Sequence, residues 1–232
     1  MSRLEWGKVE DKTYETGVSH GVLFHMGTTG EYDPGVAWTG LQAINETPSG
    51  AEPQDVYADD TQYLSITSIE KFGCTIEAFA YPPEFEACNG AESPVPGAFV
   101  RMQNRDAFGL AYMTKIGNGP KGNDFSEKIH VVYGLKAAPS EQAHSTINES
   151  PNPAPMSWSC NGTPAAFKDN KFKPTCKLDF RKDKLAPEAW LAIDKTLFGD
   201  TESNSRLPSP DEMITLAKTG AAKTVSDSDT TV

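Results

Sequence analysis

Residues 106–118 read DAFGLAYMTKIGN, and residues 127–137 read EKIHVVYGLKA. In both stretches apolar side chains recur at every second position, as Phe108 and Leu110 do in the first. A period of two predicts half-buried β-strands. The connection, residues 117–126, reads GNGPKGNDFS and is rich in turn-forming residues. The two stretches therefore predict an antiparallel hairpin.

Shorter runs on both sides of this hairpin also have the composition of strands. They contain many β-branched and aromatic residues and are bounded by glycine, proline and acidic residues. The chain contains 19 glycines and 17 prolines, a content that favours many short strands over long helices. The sequence therefore predicts a mainly β (α+β) fold. The further predicted strands are residues 18–26, 36–44, 61–80, 154–160 and 175–181.

The end of the predicted strand 61–80 contains the residues that look most reactive, in the sequence CTIEAFAYPPEF. Alternation places Cys74 on the apolar face of the strand and places Thr75 and Glu77 on the opposite face. Because apolar surroundings raise the pKa of a thiol, we predict that Cys74 is a core residue and not a nucleophile. Pro82-Pro83 cannot donate hydrogen bonds to a sheet, so the strand must end before them.

The last third of the chain has the signals of helices. Residues 186–199 read APEAWLAIDKTLFG, with Pro187 at a favourable helix start and Gly199 just past the end. Farther on, Ser209 and Glu212 have the spacing of a capping box at the start of a second helix.

These patterns predict three parts along the chain. Residues 1–200 form a β domain, and residues 201–220 form a C-terminal extension with a short helix. Residues 221–232 are small, polar and acidic, and we expect this tail to be disordered.

Composition narrows the classes of function. The 232 residues carry a net charge of −11, whereas tight binding of nucleic-acid phosphates requires clustered lysine and arginine. The charged N-terminal stretch does not have the pattern of a signal peptide, and we find no apolar run long enough to cross a membrane. Without a secretory signal, the four cysteines are expected to be reduced thiols.

Motifs for cofactor chemistry are incomplete. Cys74 and Cys88 are too far apart for the usual close pair of zinc ligands, as are Cys160 and Cys176. The stretch GNGPKGND has the glycine spacing of a phosphate-binding loop, but Asn123-Asp124 replace the required Lys-Ser/Thr. A Gly-x-Ser-x-Gly nucleophile motif is also missing from the sequence. We therefore predict no cofactor, no metal site and no catalytic residues.

The order of several unusual strings resembles the major tail protein (tail tube protein) family of long-tailed, siphovirus-type bacteriophages. The resemblance covers roughly residues 17–215 and depends on the order and spacing of the strings, since none of them is specific alone. The strings are GVAWTGLQAI (35–44), YADD (57–60), SIEKFGCTIEAFAYPPEF (68–85), FGLAYMTKIGN (108–118), HVVYGLKAAPSE (130–141), STINESP (145–151) and MSW (156–158).

The resemblance implies a structural virion protein and not an enzyme. In this family, subunits form rings, typically hexameric, that stack into a tail tube through which genomic DNA is delivered. The implied domain is a β-sandwich or barrel of two packed antiparallel sheets with one or two flanking helices. The implied partners are other copies of the chain, the tape measure protein, the tail tip or distal tail protein and the tail terminator protein. DNA passes through the lumen without specific binding, and the tail is assembled in the host bacterial cytoplasm.

Two surfaces follow as candidates for assembly. A compact domain seldom carries an acidic loop as long as residues 45–60 without a use, so we predict that this loop contacts the next ring. Thr75 and Glu77 are predicted to face the lumen or another subunit, and excess acid on a lumen wall would repel DNA phosphates. The candidate loop residues are Glu46, Glu52, Asp55, Tyr57, Asp59 and Asp60.

Two other classes of function stay open at this point. An acidic β-sandwich that binds carbohydrate would need solvent-facing aromatic residues, and Trp38 and Trp158 are the candidates. A glycoside hydrolase, which we favour less, would need two converging carboxylates. Its candidate pairs are Asp59-Asp60, Glu84 with Glu86, and Asp211-Glu212.

Overall fold

The computed structural model of the chain describes residues 7–102, 104–140, 144, 146, 155–168 and 172–220. Within these residues the chain forms twelve β-strands and three α-helices. The strands are β1 (Thr13–His25), β2 (Val36–Trp38), β3 (Leu41–Glu46), β4 (Pro53–Ala58), β5 (Thr61–Thr67), β6 (Gly73–Ala78), β7 (Ala91–Val95), β8 (Ala98–Arg101), β9 (Phe108–Asn118), β10 (Gly122–Ala137), β11 (Met156–Gly162) and β12 (Lys177–Arg181). The helices are α1 (Phe85–Cys88), α2 (Pro187–Phe198) and α3 (Pro210–Ala217).

The predicted hairpin becomes β9 and β10, which are neighbours in an eight-stranded antiparallel sheet. The prediction that these strands are half-buried is wrong, because both of their faces bury residues in hydrophobic cores. The strand order is β2-β1-β9-β10-β11-β6-β3, and β12 also pairs with β10. β10 pairs with β12 up to Val132 and with β11 from Leu135 onward. Gly134 lies between these partners with φ of +60°, and a Cβ there would be 2.4 Å from the carbonyl oxygen of Thr163. A glycine is therefore required where the sheet divides.

The two faces of this sheet bury two separate hydrophobic cores. The first core is aromatic: the Phe85 ring of α1 lies 4.6 Å from the Trp38 ring and 5.2 Å from the Trp158 ring, measured between centroids. The second core lies on the opposite face of β1, β9 and β10, where apolar strand residues pack against α2 and α3. Each strand of the centre therefore contributes alternate residues to different cores, as Leu23 and Phe24 do.

These observations confirm the prediction of a mainly β, antiparallel fold with flanking helices. α2 has Pro187 at its start and ends at Gly199, whose φ is +76°, as its sequence predicted. α3 begins after Ser209, but the predicted capping box is wrong. The Ser209 side chain makes no capping hydrogen bond in the described part of the chain, and Glu212 pairs with Arg206 instead.

The long acidic loop predicted at 45–60 is wrong, and so is a single strand over 61–80. Residues 45–46 complete β3, and β4 and β5 form a separate two-stranded hairpin; β6 belongs to the main sheet. The turn between β4 and β5 is Asp59-Asp60, with φ of +51° and +61°. Aspartate tolerates this left-handed conformation better than most residues. The sequence does not mark this turn, because it contains no glycine.

A second small hairpin, β7–β8, was not predicted. Pro94 lies within β7, and Pro96 and Gly97 form the connection, with φ of +85° at Gly97. Prolines are usual only in edge strands, so they argued against a strand here. The structure accommodates them because β7 pairs only with β8 among the described residues.

The C-terminal segment and the cysteines can be placed as well. Leu207 and Met213 are buried in the same core as α2, so residues 201–220 pack against the β domain. The predicted tail, residues 221–232, lies outside the described residues. All four cysteines are buried free thiols.

Candidate assembly surface

The β4–β5 hairpin is exposed along almost its whole length. It leaves the main sheet after β3, returns to it at β6, and pairs with no other strand in the described residues. Every residue of its two strands is exposed except Ala58, which is half-buried. Tyr57 and Tyr63 are 68% and 70% exposed. The hairpin therefore contributes almost nothing to either core of its own chain.

One face of this hairpin is apolar. Val56 lies directly across from Leu64, and Ile66 lies at the next position of the same face of β5. All three side chains are exposed. A two-stranded hairpin is at best marginally stable by itself in water, and an exposed apolar face usually marks a contact surface. This face is therefore a candidate contact surface.

The predicted loop residues are divided between this hairpin and its base. Glu52, Tyr57, Asp59 and Asp60 are exposed on or beside the hairpin. The Asp55 carboxylate accepts a hydrogen bond from the Gln62 side-chain amide at 2.9 Å, across the two strands. Five of the six predicted residues therefore belong to one projecting element.

Glu46 is the exception, because it is exposed but belongs to a strand and not to a loop. It ends β3, where its carboxylate pairs with Lys177 of β12 and accepts a hydrogen bond from the Tyr112 hydroxyl at 3.1 Å. Burial alone lowers the pKa of Lys177, but the hydrogen bond to Glu46 and the charge of Asp179 raise it overall. Glu46 thus fastens the base of the hairpin to the main sheet.

Thr75 and Glu77 lie on β6 as the alternation predicted. They are half-buried and point away from the first core, to which Cys74 contributes from the other face. Their neighbours across the β6–β11 ladder are Ser159 and Ser157. The outer face at these positions therefore carries polar side chains, unlike the apolar face of the β4–β5 hairpin.

A polar cluster beside this base resembles catalytic chemistry at first sight. The His130 Nδ1 lies 2.6 Å from Asp179, and its Nε2 lies 2.9 Å from both Glu15 and the Thr114 hydroxyl. Both ring nitrogens thus face carboxylates, and Thr114 donates to Glu15 at 2.6 Å. Burial raises the pKa of Asp179, but the hydrogen bond from His130 and the charge of Lys177 lower it overall. The geometry is that of a closed ion network that joins β1, β9, β10 and β12.

A second histidine clamp lies at the other end of β1. His25 Nδ1 is 2.7 Å from Asp33, and Nε2 is 3.2 Å from Asp106, so one ring connects β1 to two loops. Burial alone lowers the pKa of His25, but the hydrogen bonds to Asp33 and Asp106 raise it overall. No local sequence pattern marks this residue, because Asp33 lies across a turn-rich connection and Asp106 is 81 positions away.

The three candidate carboxylate pairs lie in different environments. Asp59-Asp60 form an exposed turn. Glu86 accepts a hydrogen bond from the Tyr81 hydroxyl at 2.8 Å, whereas Glu84 is exposed. Asp211 accepts a hydrogen bond from the Lys168 backbone at 2.8 Å, and Glu212 pairs with Arg206.

The aromatic residues considered for carbohydrate binding are also accounted for. Trp38 and Trp158 are both buried in the first core, where Trp38 donates to the Ala80 carbonyl and Trp158 to Asn89. Neither ring is available on a surface of the isolated chain. The two tryptophans that were candidates for carbohydrate binding are therefore core residues.

Searches for related proteins and for other kinds of site complete the description. Among the described residues, no group of three or more His, Cys, Asp or Glu side chains is arranged to hold a metal ion, and no helix is long and apolar enough to cross a membrane. A scan of the chain against protein-family models finds no match, and neither does a search of curated proteins.

Proposed function

We propose that this chain is a structural virion protein, the subunit of a phage tail tube, and not an enzyme. Copies associate into rings, hexameric in number by the sequence resemblance, and the rings stack into a tube that delivers genomic DNA. The observation that carries the proposal is the β4–β5 hairpin. It is an ordered element with an apolar face that the chain itself leaves exposed.

Association between copies would bury the apolar face of this hairpin, which the single chain leaves exposed. Covering Val56, Leu64 and Ile66 removes apolar surface from water, at about 25 cal/mol for each Å² buried. Pairing at the hairpin edges also satisfies backbone groups that would otherwise invite uncontrolled aggregation. The sequence-based assignment of this element to the contact between stacked rings stays a prediction.

The polar strand face is the candidate lining of the lumen. Thr75, Glu77 and their serine neighbours offer small polar or negative groups, and the chain as a whole is acidic. A negative wall repels phosphate groups, so DNA moves past it without specific binding. On this proposal the remaining partners are the tape measure, tail tip or distal tail, and terminator proteins, and the chain is assembled in the host cytoplasm.

Polar substitutions on the hairpin face test the proposal. The variant Val56→Thr/Leu64→Thr/Ile66→Thr keeps β-branched or strand-compatible residues but removes most of the apolar surface. We expect this variant to remain folded and monomeric at concentrations where the wild type assembles, as measured by sedimentation velocity. The matched control is Val9→Thr, which changes an exposed valine outside the hairpin. Wild-type assembly by the triple variant would contradict the proposed role of this face.

A further inference from the structure

A groove beside α2 is large enough to hold part of another molecule. Its volume is about 660 Å³, within the range of sites that bind drug-sized ligands. The walls are mostly apolar, with Met113 from β9 and Trp190, Leu191 and Phe198 from α2. Leu191 is 55% exposed, although it lies on a helix that packs against the second core.

Among the charged groups that line this groove, the Asp194 carboxylate has no ion-pair partner in the described part of the chain. Lys182 pairs with Glu127 at 2.8 Å and also lies over the Trp190 ring, so these two charges balance. Asp194 makes no hydrogen bond or ion pair with any described residue, although His20 and Lys182 lie in the same groove. Burial and the nearby charge of Glu127 raise the pKa of Asp194. A cation with an apolar body would therefore suit this groove.

The β7–β8 hairpin of the same chain has this chemistry. Phe99 and Arg101 alternate along β8 and so share one face, with Val100 on the other. Phe99 and Val100 are exposed, and the Arg101 side chain is 53% exposed. Among the described residues, the guanidinium of Arg101 lies 3.9 Å from the Glu86 carboxylate, which is long for an ion pair, and it also interacts with the Tyr81 hydroxyl.

We propose that the β7–β8 hairpin of a second copy of this chain docks in the groove beside α2, with Arg101 paired to Asp194. Phe99 then packs against Trp190 and Leu191. The inference rests on the proposed function, because it names one contact through which copies associate. None of the groove-lining residues comes from β7 or β8, so the hairpin of the same copy does not fill the groove.

The symmetry of this contact agrees with a repeating assembly. The two surfaces are different patches of one chain, so each copy uses its hairpin on one neighbour and its groove on the other. Such a head-to-tail contact generates a closed ring or an open filament, rather than a two-fold dimer. An arginine–carboxylate pair that becomes partly desolvated also fixes the register between copies more strictly than apolar contact alone.

A charge exchange tests the pairing. We expect Arg101→Glu and Asp194→Lys each to raise the concentration for half-maximal assembly by about tenfold or more, measured by light scattering and sedimentation velocity. The double variant should return to within about threefold of the wild type, because the two charges are complementary again. The matched control is Glu92→Lys, which reverses an exposed charge on the same hairpin, across from Val100. A double variant as defective as the worse single variant would overturn the inference.

Cross-linking gives a readout that does not depend on the charge variants. Phe99→Cys and Leu191→Cys chains are mixed, assembled and exposed to oxidised glutathione, which accepts the two electrons released as the disulfide forms. A mixed disulfide dimer on a non-reducing gel supports the contact, and its absence from assembled material contradicts it. The control mixture pairs Val9→Cys with Phe99→Cys.

The outcomes also separate this inference from the proposed function. If the wild type forms rings or tubes while the charge exchange and the cross-link have no effect, the contact is wrong and the tube assignment stands. If the wild type remains monomeric at every concentration and salt condition, both are contradicted.

Discussion

The aromatic core around Trp158 and the β4–β5 hairpin are both built from antiparallel strands, but their side chains have opposite surroundings. In the core, Trp38, Phe85 and Trp158 contact one another and are at most 3% exposed. In the hairpin, the large apolar and aromatic residues face solvent. The side chains of the first region are buried within one chain, whereas those of the second are left exposed by it.

On the proposed function, this difference separates residues that stabilise the subunit from residues that join one subunit to another. Burial of the core lowers the free energy of the folded chain whatever its concentration. If copies associate as proposed, burial of the hairpin face lowers this free energy only in the assembly, so its contribution depends on protein concentration. Substitutions in the two regions should therefore affect different measurements.

The largest expected effect is on the core. Trp158→Ala should lower the free energy of unfolding by about 3–5 kcal/mol, because it removes a fully buried indole and leaves a cavity. Tyr63→Ala in the hairpin should change it by about 0.5 kcal/mol or less. Urea unfolding of both variants at low protein concentration measures the contrast. Equal destabilisation by the two changes would show that the hairpin is packed in the monomer.

A smaller effect on stability is expected from His25, whose ring connects β1 to the loops that contain Asp33 and Asp106. The pKa of His25 is raised above its model-peptide value of 6.5 in the folded chain. Its stabilising contribution is therefore fully present below that pH and is lost as the pH rises through the folded-state pKa. We expect the wild type to lose about 1 kcal/mol of stability that His25→Gln does not lose over the same pH range.

Urea unfolding of both chains at about pH 6 and about pH 9 checks this prediction. The difference between the two chains isolates His25 from the other three histidines, which both chains retain. A pH dependence that is the same in both chains would mean that Asp33 and Asp106 do not select the protonated ring.

Local sequence patterns predicted the parts of the fold that depend on local physics. β9 and β10 have large apolar residues at alternate positions, which predicted the strands but not the burial of both faces. α2 has its proline at the start and a glycine just past its end, so near neighbours in sequence mark this element. The same alternation correctly placed Thr75 and Glu77 opposite Cys74.

The missed elements depend on features that local patterns do not contain. The Asp59-Asp60 turn lacks a glycine, and the prolines of β7 argue against a strand unless its edge is known to be free. The pairing of Glu46 with Lys177 joins residues that are 131 positions apart, and the groove beside α2 exists only after helix and sheet have packed. Such contacts are consequences of the tertiary fold.

The most direct test of the central claim is electron microscopy of the purified wild-type chain over a range of concentrations, with sedimentation velocity on the same samples. The account predicts monomers when dilute, and rings or stacked tubes of uniform diameter as the concentration rises. Dispersed monomers at every concentration would contradict it.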